Sequence, residues 1–271
     1  MASNPAFSNS PAFSQRPGAG APFASAPSGA LSAEQLDELY GRPSATPVDT
    51  GRMTYEDTIV KTAVTFAVLI AGAVVGWFVP ILALPAAIVA LVLGFVNVFK
   101  RQPSKGLILT YAAFEGVFVG GISVLFSQLW EGIVTQALIG TLAVVGVTLA
   151  LFASGKIRET KRATQIFTVA ILGYAAFSLV NFGLMLFGVT DTPFGLRDVP
   201  VLGMPLGFWL GILVVLLAAY SLVMDFEDVK RGVRNGAPRI YGWQAAFGIM
   251  VTVVWLYLEI LRLLAILRGD E

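Results

Sequence analysis

The chain contains no cysteine and no histidine. Without cysteine there are no disulfides, thiolate metal ligands or thiol nucleophiles. Without histidine there is no imidazole ligand, and no His-based triad or general base. The side chain that normally titrates near neutral pH is missing, so any response to pH falls to carboxylates. Charge is also sparse. Only 13% of the 271 residues are Asp, Glu, Lys or Arg, and the formal net charge is +1. That balance gives no electrostatic footprint for a nucleic-acid partner.

Apolar residues are abundant instead. They make up 56% of the chain, and the mean hydropathy is +0.77. Soluble domains are less apolar than this, and a polytopic membrane protein is the class that fits. Seven apolar segments have about the 20 residues that a bilayer crossing requires. They fall near Thr62–Val79, Ile81–Phe99, Gly106–Trp130, Gly132–Ala153, Ala163–Gly188, Gly203–Met224 and Gly242–Leu267. Only Pro80 separates the first two, which predicts a tight hairpin. The expected fold is all-α: a seven-helix transmembrane bundle over 53–271, preceded by a tail over 1–52.

The tail is rich in Ser, Pro, Ala and Gly, and Pro-Ala-Phe-Ser recurs at residues 5–8 and 11–14. Such composition buries too little apolar surface to fold, so a disordered tail is expected. It has neither a basic start nor a continuous apolar core, so it is not a signal peptide. Ser32-Ala-Glu-Gln35 is a capping box that predicts one short helix near 32–41, closed by Gly41 and Pro43.

Loop charges orient the bundle. The tail and the second, fourth and sixth inter-span connections hold fifteen of the 18 basic residues. The opposite side has Arg197 and Arg268, with acidic Glu131, Asp191 and Asp198. The positive-inside rule places the N-terminus in the cytoplasm and the C-terminus outside, in a multi-pass protein of the cytoplasmic membrane. Pairs of glycines four residues apart, Gly72/Gly76, Gly116/Gly120 and Gly207/Gly211, mark close helix contacts.

Ionisable residues inside spans cost roughly 2.5–3.5 kcal/mol each at the membrane centre, so they are the candidates for function. Gly248, Thr252, Trp255, Glu259 and Arg262 share one face of the last helix. Such a stripe faces the bundle interior, and Arg262 is within reach of Glu259 for an ion pair. The plainer reading makes this pair self-neutralising glue. Asp225 ends the sixth span, with Glu227 and Asp228 just beyond; it is either a functional carboxylate or part of a solvated helix end whose acids pair with Lys230 and Arg231. Glu115 lies about nine residues, or roughly 14 Å, into the third span, with no basic neighbour on its own helix. It must be neutral, paired from another helix, or lining water. Three converging carboxylates and Arg262 suggest a proton-coupled or cation pathway. Two close carboxylates share a proton, and when ionised they suit a hard cation. No serine-protease dyad, paired intramembrane aspartates or phosphate-binding glycine loop is present, so an enzyme is not expected.

Three segments resemble the Bax inhibitor family, particularly a long-tailed bacterial branch. They are Tyr111-Ala-Ala-Phe-Glu-Gly-Val-Phe-Val-Gly-Gly-Ile-Ser123, Ser221-Leu-Val-Met-Asp-Phe-Glu227 and Leu256-Tyr-Leu-Glu-Ile-Leu-Arg-Leu-Leu264. The resemblance covers roughly residues 53–268, and the last hairpin is its most specific part. It implies a seven-helix bundle with the last helix near the centre. It also implies a pH-sensitive calcium leak whose sensor is a carboxylate pair, here Asp225 and Glu259, which would also be the calcium ligands. Arg262 departs from that pattern. Asp225 and Glu259 can meet only if the last two helices project beyond the membrane before turning. With Glu115 lining the path, the expected function is a pH-gated cation leak with no cofactor beyond the permeant calcium. The rival expectation is a non-conducting regulator that binds a membrane protease, or another membrane protein, through the tail.

Overall fold

The computed structural model describes residues 51–269 other than 191 and 193. The tail up to residue 50, the helix expected near 32–41, and Asp191 of the loop charges lie outside the described residues. Seven helices are long and apolar enough to cross a membrane. They are α1 (Tyr55–Phe78), α2 (Ala83–Phe99), α3 (Lys105–Leu129), α4 (Ile133–Ala153), α5 (Lys161–Leu186), α6 (Leu206–Arg234) and α7 (Tyr241–Arg268). The α5–α6 connection contains a 3-10 turn, Gly195–Asp198, and a minimal hairpin of β1 (Pro200–Val201) and β2 (Met204–Pro205). The seven expected spans are therefore all present.

Local chemistry sets the helix ends. α1 begins at Tyr55, earlier than hydropathy alone suggests, because the Thr54 hydroxyl accepts a hydrogen bond from the Asp57 N–H at 3.1 Å. Glu56 and Asp57 then place negative charge in the first turn, against the positive end of the helix dipole. Pro80 opens a three-residue 3-10 turn that joins α1 to α2, as its position predicts.

The α1–α3 crossing shows what the paired glycines do. A Cβ on Gly72 would collide with the Ala113 carbonyl oxygen, and one on Gly116 with that of Leu69. Gly76 faces Val117 and Gly120 faces Ala73 in the same way. Backbone meets backbone here, which is the close packing available to helices that gain nothing from excluding lipid. Gly207 and Gly211 of α6 instead make room for the Ile266 and Leu263 side chains of α7.

α7 occupies the centre. It packs against α1, α3, α4 and α6, and its Ala245, Ala246, Met250, Leu256 and Ala265 are fully buried. α5 is the most peripheral helix, with only Phe167 and Asn181 buried.

α6 runs ten residues past Met224, where the apolar span ends in the sequence. Its end is closed by Gly236, whose φ of 62° places it in the left-handed region that glycine tolerates best. The Gly236 N–H donates to Val233 O and the Ala237 N–H to Gly232 O, so the last carbonyls are satisfied. The helix thus continues ten residues beyond the apolar run before the chain turns into α7 at Tyr241. The segment leading into α1 straps onto this turn. The Met53 N–H donates to Ala237 O at 2.7 Å, and the Arg239 N–H to Gly51 O at 2.8 Å. Asp57 adds ion pairs to both Lys61 and Arg239.

Candidate functional site

The α6–α7 contact carries two polar layers, separated along α7 by about two helical turns. The first surrounds Asp225, which is fully buried. The Thr252 hydroxyl of α7 donates to its Oδ2 at 2.6 Å, and Ser221 of α6 lies 3.4 Å from the same hydroxyl. Three residues further along α6, Asp228 is also buried and pairs with Arg231. Arg231 in turn reaches Glu159, in the segment before α5, at 3.0 Å. The charged end of α6 thus remains helical because its acids and bases neutralise one another and a third acid from another segment joins them.

Asp225 is therefore not a solvated helix end. Lys230 pairs with Glu227 at 3.8 Å, and Arg231 serves Asp228 and Glu159.

The second layer surrounds Glu259, which is 3% exposed. Its Oε2 accepts from Arg262 Nη1 at 2.7 Å and from the Tyr174 hydroxyl of α5 at 2.9 Å. Arg262 also donates to the Tyr174 oxygen at 2.9 Å. Arg197, from the α5–α6 connection, donates to Tyr174 at 3.1 Å and to Ser178 at 3.0 Å. One carboxylate thus faces two guanidinium groups, and this layer carries a positive excess. Burial, and then the Arg262 charge, lower the pKa of Arg197 from its ordinary value. Asn181 holds the loop in place: its Oδ1 accepts from the Leu196 N–H at 2.6 Å, and its Nδ2 donates to Phe194 O at 3.2 Å.

Sequence reasoning singled out Asp225, Glu259, Arg262 and Glu115, and the structure places them at three separate positions. Glu259 and Arg262 form the anticipated ion pair. Asp225 and Glu259 are both buried, each in its own layer with its own hydroxyl partner, Thr252 and Tyr174. Asp225 is aligned with Thr252, seven residues before Glu259, which is about 10 Å along a helix. The register of α6 on α7 brings the Thr252 hydroxyl to Asp225 and sets Glu259 in the next layer. Glu115 joins neither layer. It lies in a groove between α2 and α3, beside Tyr111.

Among the described residues no three acidic side chains are grouped as metal ligands. Glu259, flanked by two arginines, offers a cation net repulsion.

Tyr174, Arg197 and Glu159 escaped the sequence reading as site residues. Arg197 alone left a signal, as one of only two basic residues assigned to its side of the bundle.

Seven apolar helices with ionisable side chains buried between the last two define a multi-pass helical membrane protein. A family model described as Bax inhibitor 1 like matches residues 4–269, and the chain belongs to that family. The match reaches into the tail, which the three resembling segments left out. No curated protein and no solved structure matches the chain.

Proposed function

We propose that this protein is a pH-sensitive cation leak of the cytoplasmic membrane, with calcium as the permeant ion and the N-terminus in the cytoplasm. The observation that carries this reading is Asp225. It is a fully buried carboxylate within a membrane-spanning helix, bonded to the Thr252 hydroxyl across the α6–α7 contact and backed by buried Asp228 one turn on. A buried carboxylate is costly to keep ionised, and its protonation changes which neighbours it can bind. In this reading, acidification neutralises Asp225 and Asp228. The hold of Asp228 on Arg231 weakens, and α6 shifts against α7. The Glu259–Arg262–Tyr174–Arg197 layer closes the other half of the path by its positive charge. Calcium enters as cargo and not as a resident ligand. No catalytic step and no cofactor is part of the mechanism.

The test is calcium flux from proteoliposomes across pH 5–8, comparing wild type with Asp225→Asn and Glu259→Gln. The expected outcome is a pH-dependent leak whose profile flattens in Asp225→Asn. Glu259→Gln, which leaves Arg262 without its carboxylate, changes the size of the leak. No flux above empty liposomes at any pH, from protein shown to be folded and inserted, would overturn the channel. It would favour the non-conducting regulator, which a pull-down with residues 1–50 against membrane proteases then examines.

A further inference from the structure

Glu115 lies in a groove that neither polar layer uses. The groove runs between α2 and α3 and encloses ≈ 540 Å³. Its walls are apolar and aromatic: Leu91, Phe95 and Phe99 from α2, with Tyr111 and Phe118 from α3. Leu91, Phe95 and Phe99 are 61%, 56% and 69% exposed on the outside of the bundle, so the groove opens toward the hydrocarbon of the bilayer. Its one ionisable carboxylate is Glu115, half-buried and near the middle of α3. Among the described residues none of the ion pairs includes Glu115. Its polar neighbour is the Tyr111 phenol one turn earlier.

A carboxylate facing lipid without a cation is expensive, and a ligand that brings the cation removes the cost. The volume lies within the range of drug-sized sites, and one fixed polar group in an apolar, aromatic pocket is how such sites orient a ligand. Phenyl and phenol faces also attract an ammonium group, adding to the charge complementarity. We propose that the α2–α3 groove is a bilayer-accessible binding site for a lipophilic amine, with Glu115 as the counter-ion and the aromatic walls holding the apolar body. Because the groove shares no residue with either polar layer, it stands or falls independently of the leak.

The experiment is saturation binding of tritiated dodecylamine to the full chain in nanodiscs, with empty nanodiscs as background. The expected result is saturable binding at one site per chain, displaced by unlabelled dodecylamine and far less by dodecanol. Glu115→Gln keeps the size and the hydrogen-bonding amide but loses the charge. It should weaken binding about tenfold or more, the worth of a charge-assisted hydrogen bond. Asp225→Asn should bind as wild type. Ala87→Trp, which fills the groove from the α2 side and leaves Glu115 intact, should also abolish binding. Both groove variants are first checked for wild-type helical content and melting temperature. Unchanged affinity in folded Glu115→Gln, or dodecanol competing as well as dodecylamine, would overturn the proposal and leave an unselective lipid groove. If Glu115→Gln fails to fold, unchanged binding in folded Ala87→Trp overturns it equally.

Discussion

Thr252 of α7 donates a hydrogen bond to Asp225, and its contribution is separable from size. Replacing it with valine keeps the branched shape and removes one donor to a buried carboxylate. A hydrogen bond to a charged group contributes about 1.5–3 kcal/mol. Thr252→Val should therefore lower the melting temperature in detergent, whereas Thr252→Ser should retain most of it. Combined with Asp225→Asn, the loss should be smaller than the sum of the two single losses, because both changes remove the same bond. The sequence placed Thr252 on the correct face of the last helix, and Glu259 with Arg262 three residues on. It did not reveal which acid each would serve. That depends on the register between two helices, and a shift of two turns leaves every apolar residue as apolar as before. Tyr174 was invisible for a related reason. A tyrosine in an apolar span is common, and only the fold brings Glu259, Arg262 and Arg197 to its hydroxyl.

At the scale of the helix, the seven spans were legible because hydropathy and length suffice to find them. The ends were less so. Residues 225–234 contain six charged side chains, which read as a cytoplasmic loop. They stay helical because Glu227–Lys230 and Asp228–Arg231 pair at three-residue spacing and Glu159 reaches Arg231 from outside the helix. The α1–α3 crossing was legible in outline from its glycine spacing, and the geometry gives it a cost. Gly116→Ala would push a methyl group into the Leu69 carbonyl. It should destabilise the bundle by about 1–3 kcal/mol, the usual cost of overpacking. Gly146 of α4 has nothing within 4 Å of the corresponding position. Gly146→Ala should therefore raise stability by about 0.5–1 kcal/mol through its better helix propensity. Thermal unfolding of the two variants in one detergent separates packing from propensity. A comparable loss in both would remove the packing argument.

For the whole molecule, orientation follows from where the basic residues sit. Lys156 lies in the exposed turn after α4, and Leu202 at the tip of the opposite hairpin. The absence of native cysteine makes the test clean: Leu202→Cys should react with a membrane-impermeant maleimide on intact cells, and Lys156→Cys only after permeabilisation. The reverse pattern would invert the bundle. The position of α7 bears on how the protein is made. It is the most enclosed helix and the last of the seven to leave the ribosome, so the first six must enter the bilayer around a missing centre. Until α7 arrives, the Thr252 hydroxyl that bonds Asp225 and the lining against which α1, α3, α4 and α6 settle are missing. A chain stalled before α7 would therefore lack the helix that four of the other six pack against.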